Sequence, residues 1–157
     1  MIQKIYTFNK YYEKIGTETK DITDEIPFNI PNNWCWCRLP IICVLFKGKE
    51  VQNVKLPYLD VKYLRGNKKQ ELVTKGCLLK KDDFVILVDG ENSGEVFKIK
   101  EEGIMGSTFR QLLISSGINE NYILYFLKYY QTLLRENKRG AAIPHLDKHT
   151  HLRYFHV

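Results

Sequence analysis

The amino-acid sequence predicts an α+β fold in which a twisted, mixed β-sheet is followed by a C-terminal amphipathic helix. Short β-type segments separated by glycine and polar turns fill residues 39–81. Two apolar segments, Phe84–Val88 and Val96–Ile99, flank the turn sequence Asp89–Gly94 and predict a β-hairpin with a long connection. After residue 117 the apolar period becomes helical. These three observations favour a sheet-rich domain that ends in one long helix.

Length and composition are those of one folded domain, with 157 residues, 44% hydrophobic and 27% charged. The longest apolar stretch, Leu39–Phe46, is interrupted by Pro40 and is far too short to span a bilayer. The first residues carry scattered lysines and lack the apolar core of a signal peptide. The cysteines do not have the paired spacing of a zinc site, so we expect reduced thiols in a cytoplasmic protein. They are Cys35, Cys37, Cys43 and Cys77.

The first 40 residues divide into a polar lead-in and an aromatic segment. Residues 1–24 show no sustained hydrophobic period, and we predict that they form a lead-in with one short helix at Lys10–Ile15. A single domain is then predicted to begin at residue 25 and to extend to residue 157. Trp34 and Trp36 share one face if their segment is a strand. We expect this pair to anchor the segment on the core, and base stacking by one tryptophan is the secondary alternative.

The body of the sheet is predicted between residues 39 and 114. Ile41–Phe46 is expected to be a buried strand or a short helix, and a turn follows at Lys47–Lys49. Lys55–Arg65 alternates imperfectly and breaks at the basic loop Gly66–Lys69. Beyond the hairpin, Phe109–Ile114 again has the character of a strand.

The helix is predicted to run from Asn121 to Asn137. Asn119 or Asn121 can cap its start, and Gly140 follows its last turn. An apolar stripe of this kind is typical of core packing. Its members at helical spacing are Ile123, Phe126, Leu127, Tyr130, Leu133 and Leu134.

Charge is unevenly distributed along the chain. Residues 47–81 carry ten basic and three acidic side chains, a net charge of +7, which exceeds the +6 of the whole chain. Residues 82–127 carry a net charge of −5. A polyanion is the natural partner of the basic segment, although a solvated lysine-rich face fits the same composition.

Catalytic motifs are absent from the sequence: it has no phosphate-binding loop, no dinucleotide fingerprint and no nucleophile elbow. Asp60 and Lys62 have the acid-x-Lys spacing of many metal-dependent nucleases, but such a site needs further carboxylates. Asp60 is therefore interpreted as a turn or strand-edge residue, with a small nuclease kept as an alternative. His145, His149 and His151 could chelate a metal, but no neighbouring carboxylates support them, so no metal or cofactor is predicted.

Seven short motifs follow one another along most of the chain. They are PFNIPNNWCWCRL at Pro27–Leu39, Leu56–Gly66, Gly76–Leu79, the hairpin with Gly90 and Gly94, Gly106–Phe109, the Tyr122–Leu134 helix and Gly140–Leu146. Each is weakly specific alone. In this order they resemble the target-recognition domains in the specificity subunits of type I restriction–modification enzymes, with a resemblance that covers roughly residues 25–153.

This resemblance implies a DNA-binding protein without catalysis, of the DNA methylase specificity fold type. In that family two such domains lie in tandem, each followed by a long spacer helix, and each reads one half of a split double-stranded DNA target. Methylation and restriction belong to partner subunits. The family's Leu-Pro-Pro turn and spacer helix do not follow here, because the sequence closes at Tyr154–Val157. We therefore expect a single recognition domain, either excised or truncated, whose second recognition domain is supplied in cis or in trans.

On this view, lysine and arginine side chains contact phosphates and set the register, while polar side chains on loops read base edges. The positioning candidates are Lys62, Lys68, Lys69, Lys80 and Lys138. The base-reading candidates are Tyr63, Arg65, Asn67, Asn92, Ser93, Thr108 and Arg110. A protein-interaction module that docks through the Tyr129–Tyr130 pair of the helix is the remaining alternative.

Overall fold

The computed structural model describes residues 2–5, 10–26, 28–31, 33–132 and 153–155. Contacts divide the chain into a first unit, Met1–Ile42 with Leu146–Val157, and a second unit, Cys43–His145. In chain order the elements are β1 (Ile2–Ile5), β2 (Lys10–Ile15), β3 (Glu18–Asp21), a 3-10 helix (Thr23–Glu25), β4 (Cys35–Arg38), α1 (Leu39–Ile42), β5 (Cys43–Phe46), β6 (Lys49–Leu59), α2 (Val61–Leu64), β7 (Leu72–Leu79), β8 (Phe84–Leu87), β9 (Val96–Lys98), β10 (Gly103–Met105), β11 (Phe109–Ile114), α3 (Glu120–Tyr129) and β12 (Arg153–Phe155).

The first unit holds an antiparallel sheet in the order β1-β2-β3 and a pairing of β4 with β12. The short helix predicted at Lys10–Ile15 is wrong, because this segment is the central strand β2. Tyr11 and Glu13 alternate as buried positions along it, 3% and 4% exposed. The Glu13 carboxylate accepts a forked pair of hydrogen bonds from Arg38, which lies 25 residues away in β4. A distant partner thus stabilises a strand that local periodicity does not reveal.

Trp36 is the aromatic anchor of the first unit. Its side chain is 1% exposed, and its ring meets Phe28 edge-on with the centroids 5.3 Å apart. The anchor role is therefore confirmed for Trp36. Its burial leaves no ring face for a base in this conformation, whereas Trp34 is half-buried.

The second unit combines two sheets. One is antiparallel in the order β5-β11-β8-β9. In the other, β10 pairs parallel with β6 and antiparallel with β7, and the β6–β7 pairing closes a three-stranded barrel. The predicted mixed sheet and α+β class are confirmed.

The elements with clear local patterns lie where the sequence places them. Strands β8 and β9 form the expected hairpin, with Ile86 opposite Val96, and β11 has the predicted bounds. The Asn119 side chain caps α3 by accepting a hydrogen bond from the Tyr122 backbone N–H at 3.2 Å. Helix α3 ends at Tyr129, and residues 133–137 of the predicted helix lie outside the described residues.

Two central segments change structure partway along. Ile41–Phe46 begins in α1 and continues as β5, so both predicted alternatives hold in part. Lys55–Arg65 was expected to alternate as one strand, but β6 ends at Leu59 and α2 follows at once. Asp60 causes the change, because its carboxylate caps the new helix.

The core of the second unit gathers residues from both sheets. Its buried members are Leu59, Leu79, Val85, Leu87, Ile99, Met105 and Phe109. The barrel closes tightly at Gly76, where an added Cβ would lie 2.4 Å from Ile104 Cγ2 and φ is +137°. Both the space and the backbone conformation therefore require glycine.

Among the described residues, no helix is long and apolar enough to cross a membrane.

Candidate nucleic-acid interface

The candidate site is built around the corner that α2 makes between β6 and β7. Asp60 caps its start by accepting a hydrogen bond from the Tyr63 backbone N–H at 2.8 Å. At its end Gly66 has a φ of +76°, and its N–H donates to the Tyr63 carbonyl at 2.9 Å. The Asn67 N–H reaches back to the Lys62 carbonyl at 2.8 Å, which completes a Schellman closure. Local hydrogen bonds thus hold both ends of α2 and the start of the basic loop.

A first cleft lies on one side of this corner, with a volume of about 700 Å³. Arg65 lines it together with Asn92 and Glu95 from the hairpin. The rest of its wall comes from β9, from one face of α3 and from Gln131 just beyond that helix. Those residues are Val96, Lys98, Asn121, Leu124, Tyr125, Lys128 and Gln131. Cations, amides and an aromatic ring are the groups that contact phosphates and bases.

Arg65 and Glu95 form an ion pair in the first cleft. Arg65 Nε donates to Glu95 Oε1 at 3.4 Å, and Arg65 Nη2 donates to Glu95 Oε2. The two side chains are 34% and 28% exposed. The hydrogen bond to Glu95 raises the pKa of Arg65 further, so this guanidinium stays charged.

A second cleft, of about 490 Å³, lies where α2 faces the β10–β11 connection. It gathers four of the predicted site residues, which are Lys62, Asn67, Lys68 and Thr108. The rest of the wall is Tyr58, Asp60, Val61 and Ser107. The Tyr58 hydroxyl accepts a hydrogen bond from the Ser107 backbone N–H at 3.2 Å.

Lys68 is already neutralised within the chain. Its Nζ lies 2.6 Å from a Glu71 oxygen and 3.1 Å from Asp60 Oδ2, and 5.8 Å from the centre of the Tyr58 ring. The hydrogen bonds to Glu71 and Asp60 raise the pKa of Lys68. Burial acts to raise the pKa of Asp60, but the hydrogen bonds from Tyr63 and Lys68 outweigh it and lower that pKa.

The other basic residues of this segment differ from Arg65 and Lys68. Of the ten in residues 47–81, the remaining eight form no ion pair with any residue that the structure describes. Lys62, Lys69 and Lys80 are among them, and all three are exposed. These three lysines therefore present unpaired charge to solvent.

Further predicted site residues lie outside both clefts. The Tyr63 hydroxyl donates to Glu101 at 2.6 Å. Arg110 is half-buried in β11 and donates from Nη1 to the Phe109 carbonyl at 2.8 Å. Lys138 lies outside the described residues.

The expectation for Ser93 needs correction. Its side chain is 1% exposed, and its hydroxyl has no hydrogen-bond partner among the residues that the structure describes. The hairpin connection turns this hydroxyl inward while its neighbour Asn92 lines the first cleft. Ser93 therefore cannot touch a base in this conformation.

Sequence reasoning missed Glu95, Tyr125 and Lys128. For the last two a signal was present, since Asn121, Tyr125 and Lys128 recur at helical spacing opposite the apolar stripe. No local signal exists for Glu95, because its partner Arg65 is 30 residues away.

The Asp60 carboxylate of the acid-x-Lys pair is engaged by groups of this chain. Asp60 is occupied by the α2 cap and by Lys68. Within the described part of the chain, no three Asp, Glu, His or Cys side chains come together in a way that could hold a metal ion. His145, His149 and His151 lie outside that part.

Comparison with known proteins gives a consistent family assignment. The model of the type I restriction modification DNA specificity domain matches residues 44–151. The specificity subunit of the type I restriction enzyme MjaVIII, from Methanocaldococcus jannaschii, is 31% identical over 130 residues, which cover 76% of this chain and 30% of that subunit.

Two solved structures share the fold. One chain, from a structure on complex assembly and conformational transition of the type I R-M system, has a TM-score of 0.55 and 19% identity. The HsdS subunit from Thermoanaerobacter tengcongensis has a TM-score of 0.53 and 17% identity. Each match covers 73% of this chain and 32% of the other, so the present chain spans about a third of these relatives. The chain therefore belongs to the type I restriction modification DNA specificity domain family.

Proposed function

We propose that this chain binds double-stranded DNA in a sequence-specific manner and reads one half of a bipartite target. The observation that carries the proposal is the α2 corner, whose residues line two polar clefts. The excess positive charge of residues 47–81 supplies attraction to phosphates, and the clefts supply side chains of the kinds that bond base edges.

Roles follow from exposure and pairing. Lys62, Lys69 and Lys80 are exposed and unpaired among the described residues, which fits phosphate contacts. Asn67 and Thr108 in the second cleft are candidates for reading base edges. In the first cleft the same role falls to Arg65 and Asn92, which the sequence also indicated. Tyr63, Lys68 and Arg110 stay candidates although each is already bonded within the chain, and Lys138 is proposed from the sequence alone.

The partners of the chain are proposed from family membership. A recognition domain of residues 25–157 would select the DNA site, and methylation and restriction subunits of the same system would act on it. Reading a bipartite target also requires a second recognition domain, in cis or in trans. No catalytic step is assigned to this chain.

The test is selection of bound sequences from a random duplex pool, followed by competition with single-base variants of the selected site. Enrichment of one short motif is expected, with affinity falling at defined positions for each changed base pair. An unenriched pool at physiological salt would overturn the proposal.

One observation favours a protein contact as a second candidate. Tyr125 and Tyr129 lie one turn apart on α3 and are 74% and 81% exposed. Such an aromatic stripe also suits a partner subunit. Replacing Tyr129, which lines neither cleft, separates the two functions: a docking role predicts loss of assembly with unchanged DNA affinity.

A further inference from the structure

Arg65 is the side chain best suited to read a guanine, and its ion pair with Glu95 constrains how it can do so. Arg65 directly follows α2, and Glu95 directly precedes β9. The Glu95 backbone is itself fixed, because its carbonyl accepts from the Leu87 N–H at 2.8 Å and its N–H donates to the Asn92 carbonyl at 3.2 Å. The carboxylate is thus presented from an ordered hairpin rather than from a free loop.

The ion pair with Glu95 uses one edge of the Arg65 guanidinium and leaves a second edge free of Glu95. Nε and Nη2 donate to the two oxygens of Glu95. A guanidinium has five N–H donors, so both hydrogens of Nη1 and the second hydrogen of Nη2 carry no bond to Glu95. That remaining edge is the two-pronged donor that matches O6 and N7 of guanine.

Glu95 also changes which anions Arg65 can bind. A free arginine at a basic surface bonds any phosphate, whichever sequence carries it. A carboxylate bonded to the same guanidinium competes with phosphates and repels them, but it does not occupy the free edge. Affinity for non-specific DNA should therefore fall relative to affinity for a site with guanine at the right place.

We propose that Glu95 is a positioning residue for base recognition, holding Arg65 by Nε and Nη2 so that its Nη1–Nη2 edge reads a guanine. This role rests on the proposed function and adds a specificity-determining residue to it. Lys68 is a contrasting case in the neighbouring cleft, because its carboxylate partners hold a point charge that has no second edge to present.

The experiment is a double-mutant cycle in the full 157-residue chain, with Glu95→Gln, Arg65→Ala and the two combined. Each variant is titrated with the selected duplex, with duplexes in which each guanine is replaced in turn, and with a shuffled duplex. Glu102→Gln is the matched control, because it removes one negative charge from an exposed residue that lines neither cleft. Thermal unfolding of every variant controls for folding.

We expect Glu95→Gln to reduce discrimination at one guanine on the order of tenfold, within the range that a bidentate contact supplies. Affinity for the shuffled duplex should be unchanged or higher, with a salt slope steeper by up to about 0.9 if the released Arg65 takes a phosphate. In the Arg65→Ala background, Glu95→Gln should cause no further loss of discrimination.

Three results would overturn the role of Glu95. The Glu95→Gln variant could discriminate at every guanine as well as the wild type does, or it could lose affinity equally for all duplexes. Glu95→Gln could also cause the same loss of discrimination in the Arg65→Ala background as in the wild type. An equal effect of Glu102→Gln would reduce the result to net charge and also overturn it. The wild-type titration separates this inference from the proposed function. If the wild type itself shows no discrimination, the proposed function fails and this role fails with it.

Discussion

Adjacent lysines in the basic loop should contribute unequally to DNA binding, although both are predicted phosphate contacts. Lys69 is exposed and forms no ion pair among the described residues, whereas Lys68 is held by Glu71 at 2.6 Å and by Asp60 at 3.1 Å. Each phosphate neutralised by a cation contributes about −0.9 to the slope of log affinity against log salt. Lys68→Ala and Lys69→Ala therefore form a matched pair at neighbouring positions.

The magnitudes follow from the charges that the fold leaves unpaired. If about six phosphates are contacted, wild-type affinity should fall on the order of a thousandfold between 50 and 200 mM salt. Lys69→Ala should flatten the slope by about 0.9, and Lys68→Ala by clearly less, because carboxylates already match its charge. The double variant should weaken all sequences about equally, with a slope change nearer to about 0.9 than to about 1.8.

Fluorescence anisotropy with a labelled duplex at four or five salt concentrations measures these slopes. Lys100→Ala, an exposed lysine that lines neither cleft, is the control and should leave the slope at the wild-type value. Equal slope changes for Lys68→Ala and Lys69→Ala would refute the argument from internal pairing. A flat wild-type response would mean that the basic segment is only a solvated face.

Three further predictions concern single side chains. Arg65→Ala should relax preference at one or two base pairs while non-specific affinity falls only slightly, and a uniform loss in competition titrations would make Arg65 a phosphate contact instead. Glu13→Ala should lower the free energy of unfolding by up to about 3 kcal/mol in urea titrations, because it removes the buried carboxylate that accepts both Arg38 hydrogen bonds and leaves Arg38 only the Glu25 oxygen at 3.5 Å. Lys10→Ala removes only an exposed ion pair and should cost far less. The pKa of Asp60 is lowered on folding, so its contribution is present above the ordinary carboxyl pKa and is lost as pH falls through the lower folded value. The stability difference between wild type and Asp60→Asn should accordingly shrink in acid, and a difference that stays constant with pH would contradict this assignment.

Local sequence patterns were sufficient to predict some helices and strands but not others. The hairpin of β8 and β9, strand β11 and the Asn119 cap each depend on residues close in sequence, and all were predictable. Strand β2 was not, because Glu13 is an acceptable helix residue whose burial depends on Arg38 in another strand. A pattern of one segment carries no information about such a partner.

The candidate site divides in the same way. Arg65 and Asn67 were predictable from the glycine break that follows Arg65, since the Schellman closure is a local motif. The pairing of Arg65 with Glu95 was not, because it requires the hairpin to fold back over 30 residues. The burial of Ser93 beside the half-buried Asn92 likewise depends on how the connection packs, not on its composition.

The central claim is that this chain distinguishes DNA sequences, and the most direct measurement is a specificity ratio. The dissociation constants of the 157-residue chain for its selected duplex and for a shuffled duplex of equal length and composition are compared at physiological salt. The account predicts tighter binding of the selected duplex by roughly a thousandfold or more, the lower part of the range for specific recognition. Equal affinities for the two duplexes, with a steep salt dependence for both, would show a basic protein that binds DNA without reading it and would contradict the account.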